Sequence, residues 1–169
     1  QRQMCIRDSN DLSASGLISQ TAEGTNKWIT TAYTKSELLE KAYGRLKTPV
    51  DRILYVKGTA QIEHPIASGI RALARQSMIG VNDQDGAIAI SKKEAAKIPA
   101  EDICTKQYFE DFGGAVIEVW SYDPIILERD GCVDDISLLL SMDNDPNERV
   151  QTCLDEIRQK HGLPIKEEE

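Results

Sequence analysis

The sequence predicts a mixed α/β (or α+β) fold, and three observations carry that prediction. Apolar strand-like runs alternate with helical periodicities along most of the chain. Helix starts are marked by capping residues and prolines, and no internal repeat or heptad runs through them. The 169 residues are 40% apolar but only 5% aromatic, so one core is affordable and must rest on Ile, Leu, Val and Ala.

Residues 1–9 have no readable period and begin at Gln1, so they are expected to be a non-native leader joined to an incomplete reading frame. Asn10 to Ser15 reads as the last turns of a helix, with Gly16 placed to stop it. Leu17 to Gln20 and Lys27 to Tyr33 read as two strands, separated by a polar turn over residues 22–26. Thr34-Lys35-Ser36-Glu37 is a capping box, opening a helix with Leu38, Leu39, Ala42 and Leu46 inward and ending before Pro49.

Beyond it, Ile53 to Val56 is a buried-strand run, and Ile66 to Met78 has one apolar stripe of Ile70, Leu73, Ala74 and Met78. Ala87 to Ile90 is a short strand, residues 92–97 add a helical turn, and residues 98–112 give no clear pattern. Gly113-Gly114 is a turn leading into the strand Ala115 to Trp120. Asp123-Pro124 pairs an N-cap with proline at the first helical position. Asp134 to Met142 is a helix with Ile136, Leu139 and Leu140 inward. Asp145-Pro146-Asn147-Glu148 starts another, with Val150, Cys153, Leu154 and Ile157 as its stripe and Gly162 as its stop. The expected organisation is a leader (1–9), a helix end with a hairpin (10–33), an α/β domain (34–162) and a disordered tail (163–169).

Charge narrows the function. The formal net charge is -8, but residues 1–100 carry 14 basic and 10 acidic side chains while residues 101–169 carry 6 and 18. A polyanion contact therefore belongs to the front of the chain. Cys5, Cys104, Cys132 and Cys153 are too far apart for a tight metal knot, and no metal or cofactor is expected. Without a signal peptide or an apolar run of membrane-spanning length, the expectation is reduced thiols in a cytoplasm and no membrane contact.

Catalysis is not expected. His64 precedes a proline in a loop, and His161 sits at a helix end where partial positive charge is favoured. The acid pairs Asp134-Asp135 and Asp143 with Asp145 flank helices, where capping accounts for them. An enzyme acting on nucleotides would require Asp134, Asp135 and Asp143 to converge in one pocket.

The order helix end, Gly16, strand, polar turn, strand resembles the end of a winged helix-turn-helix, in which the recognition helix enters the major groove and the wing reaches nearby phosphates. Asn10 to Ser15 would close the recognition helix. Thr25, Asn26 and Lys27 would be the wing tip that meets DNA, and Trp28 and Ile29 would anchor the hairpin. Three further blocks extend the likeness: Leu38-Leu39-Glu40-Lys41-Ala42 with Lys47-Thr48-Pro49-Val50, Gly69 to Met78, and Ile117 to Pro124 continuing through Val133 to Ser141 and Asp145 to Val150. Together they look like bacterial winged-helix regulators of the MarR-like kind, and more distantly like abortive-infection type IV antitoxins. The resemblance implies a DNA-binding transcriptional regulator whose α/β effector domain serves ligand or protein interaction, here lacking its first helices. Its rival is an antitoxin-like module that engages a partner protein or a second copy without DNA binding in this fragment.

Overall fold

The computed structural model describes residues 13–23, 26–58, 62–80 and 86–165. The chain is of mixed α/β class, with a two-stranded and a five-stranded sheet and six α-helices among the described residues. It forms two compact units, residues 1–46 with 160–164 and residues 47–159 with 165–169.

In the first unit, a helical turn at Ser13–Ala14 closes with the Gly16 amide donating to the Ser13 carbonyl (3.0 Å). Gly16 has φ +73, a conformation that costs an L side chain free energy, so the residue type and the stop go together. Strands β1 (Ser19–Glu23) and β2 (Asn26–Thr30) follow as an antiparallel pair. β1 starts later and runs further than the sequence suggested. β2 stops at Thr30 because Thr31 turns the chain: its hydroxyl donates to the Leu17 carbonyl and accepts from the Tyr33 amide.

Helix α1 (Lys35–Tyr43) begins with the expected capping box. It ends at Tyr43, three residues before Leu46, which is exposed rather than inward. It belongs to the unit of the hairpin, whereas the sequence reading assigned it to the α/β domain.

The second unit is built on strands β3 (Val50–Val56), β4 (Ile66–Ser68), β5 (Ala87–Ser91), β6 (Ile103–Cys104) and β7 (Ala115–Trp120), in the order β4-β5-β7-β3-β6. Only β5 and β7 run parallel. Between the strands lie α2 (Gly69–Gln76), α3 (Lys92–Ala95) and α4 (Lys106–Phe112), and after them α5 (Asp135–Met142) and α6 (Glu148–Lys160).

The two-residue period of β7 sends Ile117 and Val119 to one face and Glu118 and Trp120 to the other. On the first face they form a core with Val56, Ile90 and Ala95, and Leu54, Ile62, Ile88 and Ile98 pack around it. On the second face, α2 packs against β4, β5 and α5 through buried Ala72 and Leu73. Aliphatic side chains dominate both layers, as the low aromatic content requires.

The expected helix from Ile66 to Met78 is divided. Residues Ile66 to Ser68 pair with Ala87 to Ala89 as a strand, a choice made by a partner distant in sequence. Met78 lies beyond the end of α2 and is fully exposed. In α5, Ser137, Leu138, Leu139 and Met142 are the buried positions, while Ile136 and Leu140 are half-buried. No helix among the described residues is long and apolar enough to cross a membrane.

Candidate nucleic-acid interface

Of the three expected DNA-contacting residues, Thr25 lies outside the described residues, as do the side chains of Asn26 and Lys27. Their strand places the backbone of Asn26 opposite Glu23 and that of Lys27 opposite Ala22, beside the hairpin tip. Local bonds tie the hairpin to the helical turn before it. Gln20 Nε2 donates to Ser13 Oγ (2.9 Å), and Thr31 Oγ1 donates to the Leu17 carbonyl (2.9 Å). Leu17, 5% exposed, is the buried residue at this junction.

Trp28 and Ile29 do not anchor the hairpin. Both are 57% exposed, because adjacent residues of a strand face opposite sides and neither side of this two-stranded ribbon is covered at that point. The hairpin therefore presents an indole and an aliphatic side chain to solvent on its two faces. Lys27 is its one basic residue, with Glu23 at the end of the facing strand, so the ribbon is not a strongly cationic surface.

Following the hairpin, Thr34 Oγ1 accepts from the Glu37 amide while a Glu37 carboxylate oxygen accepts from the Thr34 amide (2.8 Å) and hydroxyl. These bonds hold the Glu37 carboxyl below the usual glutamate range, the Thr34 amide being the largest cause. Lys41, one turn along, lies over the Tyr33 ring at 5.0 Å.

In the second unit, Asp134, Asp143 and Asp145 among the four acids weighed for nucleotide chemistry have structural partners. Asp134 Oδ1 accepts from the Ile136 and Ser137 amides, capping α5. Asp143 stands at the opposite end of that helix, about 13–14 Å of helical rise away, and pairs with Arg158. Asp145 Oδ1 accepts from the Asn147 amide, and Asn147, not Asp145, caps α6 by accepting from Arg149. Among the described residues no three His, Cys, Asp or Glu side chains are grouped to hold a metal ion. Cys104, Cys132 and Cys153 are free thiols.

Two features lay outside the reach of sequence reasoning. Glu118, read only as a strand residue, accepts from Ser68 Oγ (2.5 Å) and from Trp120 Nε1 (3.1 Å) at the start of α2. Ile125, Ile126 and Leu127 project from the turn after β7, 53%, 70% and 47% exposed. Their turn is closed by local bonds: Asp123 accepts from the Ile125 amide, Glu128 from the Gly131 amide, and Arg129 and Cys132 exchange backbone bonds. No protein family, curated protein or solved structure matches this chain.

Proposed function

We propose that residues 13–30 are the end of a recognition helix and the wing of a winged-helix DNA-binding element in a cytoplasmic transcriptional regulator, with the second unit as its effector domain. The observation that supports this most is the succession helical turn, left-handed Gly16, antiparallel hairpin, with side-chain bonds from Gln20 and Thr31 fixing the hairpin on the turn. In this reading Thr25, Asn26 and Lys27 meet the backbone of DNA, and exposed Trp28 lies against the sugar-phosphate edge. One cation on the hairpin supplies one phosphate contact, so the binding strength must come from the recognition helix.

The test is titration of the protein with a duplex from its own upstream region at several salt concentrations. Binding should weaken with salt, and Lys27→Ala should lower affinity alike for this duplex and for an unrelated one while reducing the salt slope by about one. Absence of binding at low salt overturns the reading.

A second reading, a protein-interaction module of the antitoxin-like kind, is favoured by the ordered aliphatic triplet Ile125 to Leu127 among Asp123, Glu128 and Asp130. Glu128 is bonded to the Gly131 amide and Asp130 has φ +52, so charge reversal at either would disturb the turn itself. Ile126→Ser, which touches only the exposed apolar surface, is the cleaner probe. Loss of a co-purifying partner in that variant, with an unchanged melting temperature, would support the module.

A further inference from the structure

We infer that the cleft between α2 and the start of α6 binds a small ligand with an aliphatic body and one anionic group, a medium-chain monocarboxylate being the simplest member of the class. The inference is independent of whether the hairpin meets DNA. The cleft holds about 440 Å³, within the size range of small-molecule sites. Its walls are Ile70 from α2, Met78 and Ile79 from the segment after it, and Val150 and Cys153 from one face of α6. Val150 is buried at its base (3% exposed), while Met78 stands free in solvent with an unbranched side chain able to fold over a ligand. No aromatic ring is among the described lining residues, which favours a flexible aliphatic body over a flat one.

Charge selects the head group. Arg149 is the one charged side chain among the described lining residues, and no carboxylate accompanies it there. It takes no part in the ion pairs of the described residues. In a chain of net charge -8, a guanidinium without a carboxylate partner among the described residues, beside an apolar cleft, is complementary to an anion carried by the ligand. Thr152 and Asn147 lie at the same rim as further polar contacts.

The other cleft, about 230 Å³ beside β5 and α3, lacks this property. Its Lys97 is paired with Glu63 (3.7 Å), and its Glu94 accepts from the Ser91 amide-capping hydroxyl. Its one cation is already paired within the protein, and an unpaired carboxylate remains beside it among the described lining residues, which does not suit an anionic ligand.

The probe is octanoate, with octylamine as the cationic and 1-octanol as the neutral control, titrated into the whole chain carrying labelled Ile and Val methyl groups. Octanoate should shift the methyl resonances of Ile70, Ile79 and Val150 saturably and should slow alkylation of Cys153 severalfold while leaving Cys104 unchanged. Arg149→Met, which keeps the stem and removes the charge, should weaken octanoate by about tenfold or more, and Arg149→Lys should restore part of it. Octylamine should not bind. The inference is overturned if octanoate moves none of these methyls up to its solubility limit, if octylamine binds as well, or if Arg149→Met binds octanoate as the parent does. Because both readouts sit in the second unit, a failure here leaves the DNA-binding test untouched.

Discussion

Arg158 Nη2 donates to Asp143 Oδ1 at 2.7 Å, joining the last third of α6 to the C-terminal end of α5. Arg158 is 1% exposed and also donates through Nη1 to Asp155 (2.6 Å), one turn back on its own helix. A buried guanidinium is tolerated only when its charge and hydrogen bonds are met, and these two carboxylates supply the charge and two of the bonds. The bonds therefore tie the end of one helix to the other, and each helix also buries a leucine, Leu139 and Leu154.

Arg158→Ala removes the buried charge and its packed stem together and leaves two carboxylates facing each other. The loss should be about 3 kcal/mol, partly offset by the solvent that reaches both acids. Asp155→Ala, which leaves Asp143 in place, should cost less. Urea unfolding followed by far-UV circular dichroism would measure both, and a cost for Arg158→Ala within error of zero would show that the clamp contributes nothing.

The two glycines before β7 should respond differently to alanine. Both have positive φ, +76 at Gly113 and +147 at Gly114. A Cβ on Gly113 meets nothing within 4 Å, so Gly113→Ala should cost only backbone strain, about 1–2 kcal/mol. A Cβ on Gly114 would collide with the Val56 carbonyl oxygen, a backbone atom held by the β3–β7 pairing, so Gly114→Ala should cost about 3 kcal/mol or more. Thermal melts of the two variants, compared side by side, decide the order.

The cap of α1 should be lost in acid. The folded-state pKa of Glu37 is depressed, so its contribution is present above the ordinary glutamate pKa and disappears as pH falls through the lower folded value. The Thr34 amide resonance should follow that titration, because Glu37 accepts from it (2.8 Å). In Glu37→Gln the Thr34 amide should show no such titration.

At the alkaline end, Tyr122 should be among the last tyrosines to ionise. Burial raises its pKa, Asp134 adds to the rise, and the hydrogen bond with Ser137 works against both. A raised folded pKa means that stability is intact below the ordinary tyrosine value near pH 10 and is lost as pH climbs through the folded one. Tyrosinate absorbance should show a late-ionising component that Tyr122→Phe abolishes. The same variant should flatten the alkaline decline in melting temperature.

Short-range physics was legible in the residues themselves. The Thr34–Glu37 box, the Asp134 cap and the Gly162 stop each depend on neighbours within a few positions, and each stands where the pattern put it. Of the candidate interface, the helical turn, Gly16 and the antiparallel hairpin were readable for the same reason. The exposure of Trp28 and Ile29 was not, because whether a ribbon face is covered depends on what packs on it rather than on the ribbon.

Tertiary structure decided the rest. Ile66 to Ser68 left a helical pattern for a strand because β5 offered unpaired backbone groups twenty residues along the chain. The parallel alignment of β5 with β7 and the open cleft at Arg149 likewise arise between segments that no local window contains. Arg158 makes the division plain. It follows Leu154 by one helical turn and so shares the buried face of α6, yet an arginine there reads as surface until Asp143, fifteen residues earlier, is brought within hydrogen-bonding distance. The sequence determined which face of the helix it occupies; only the packing of α5 against α6 supplied the carboxylate that lets a charge remain buried.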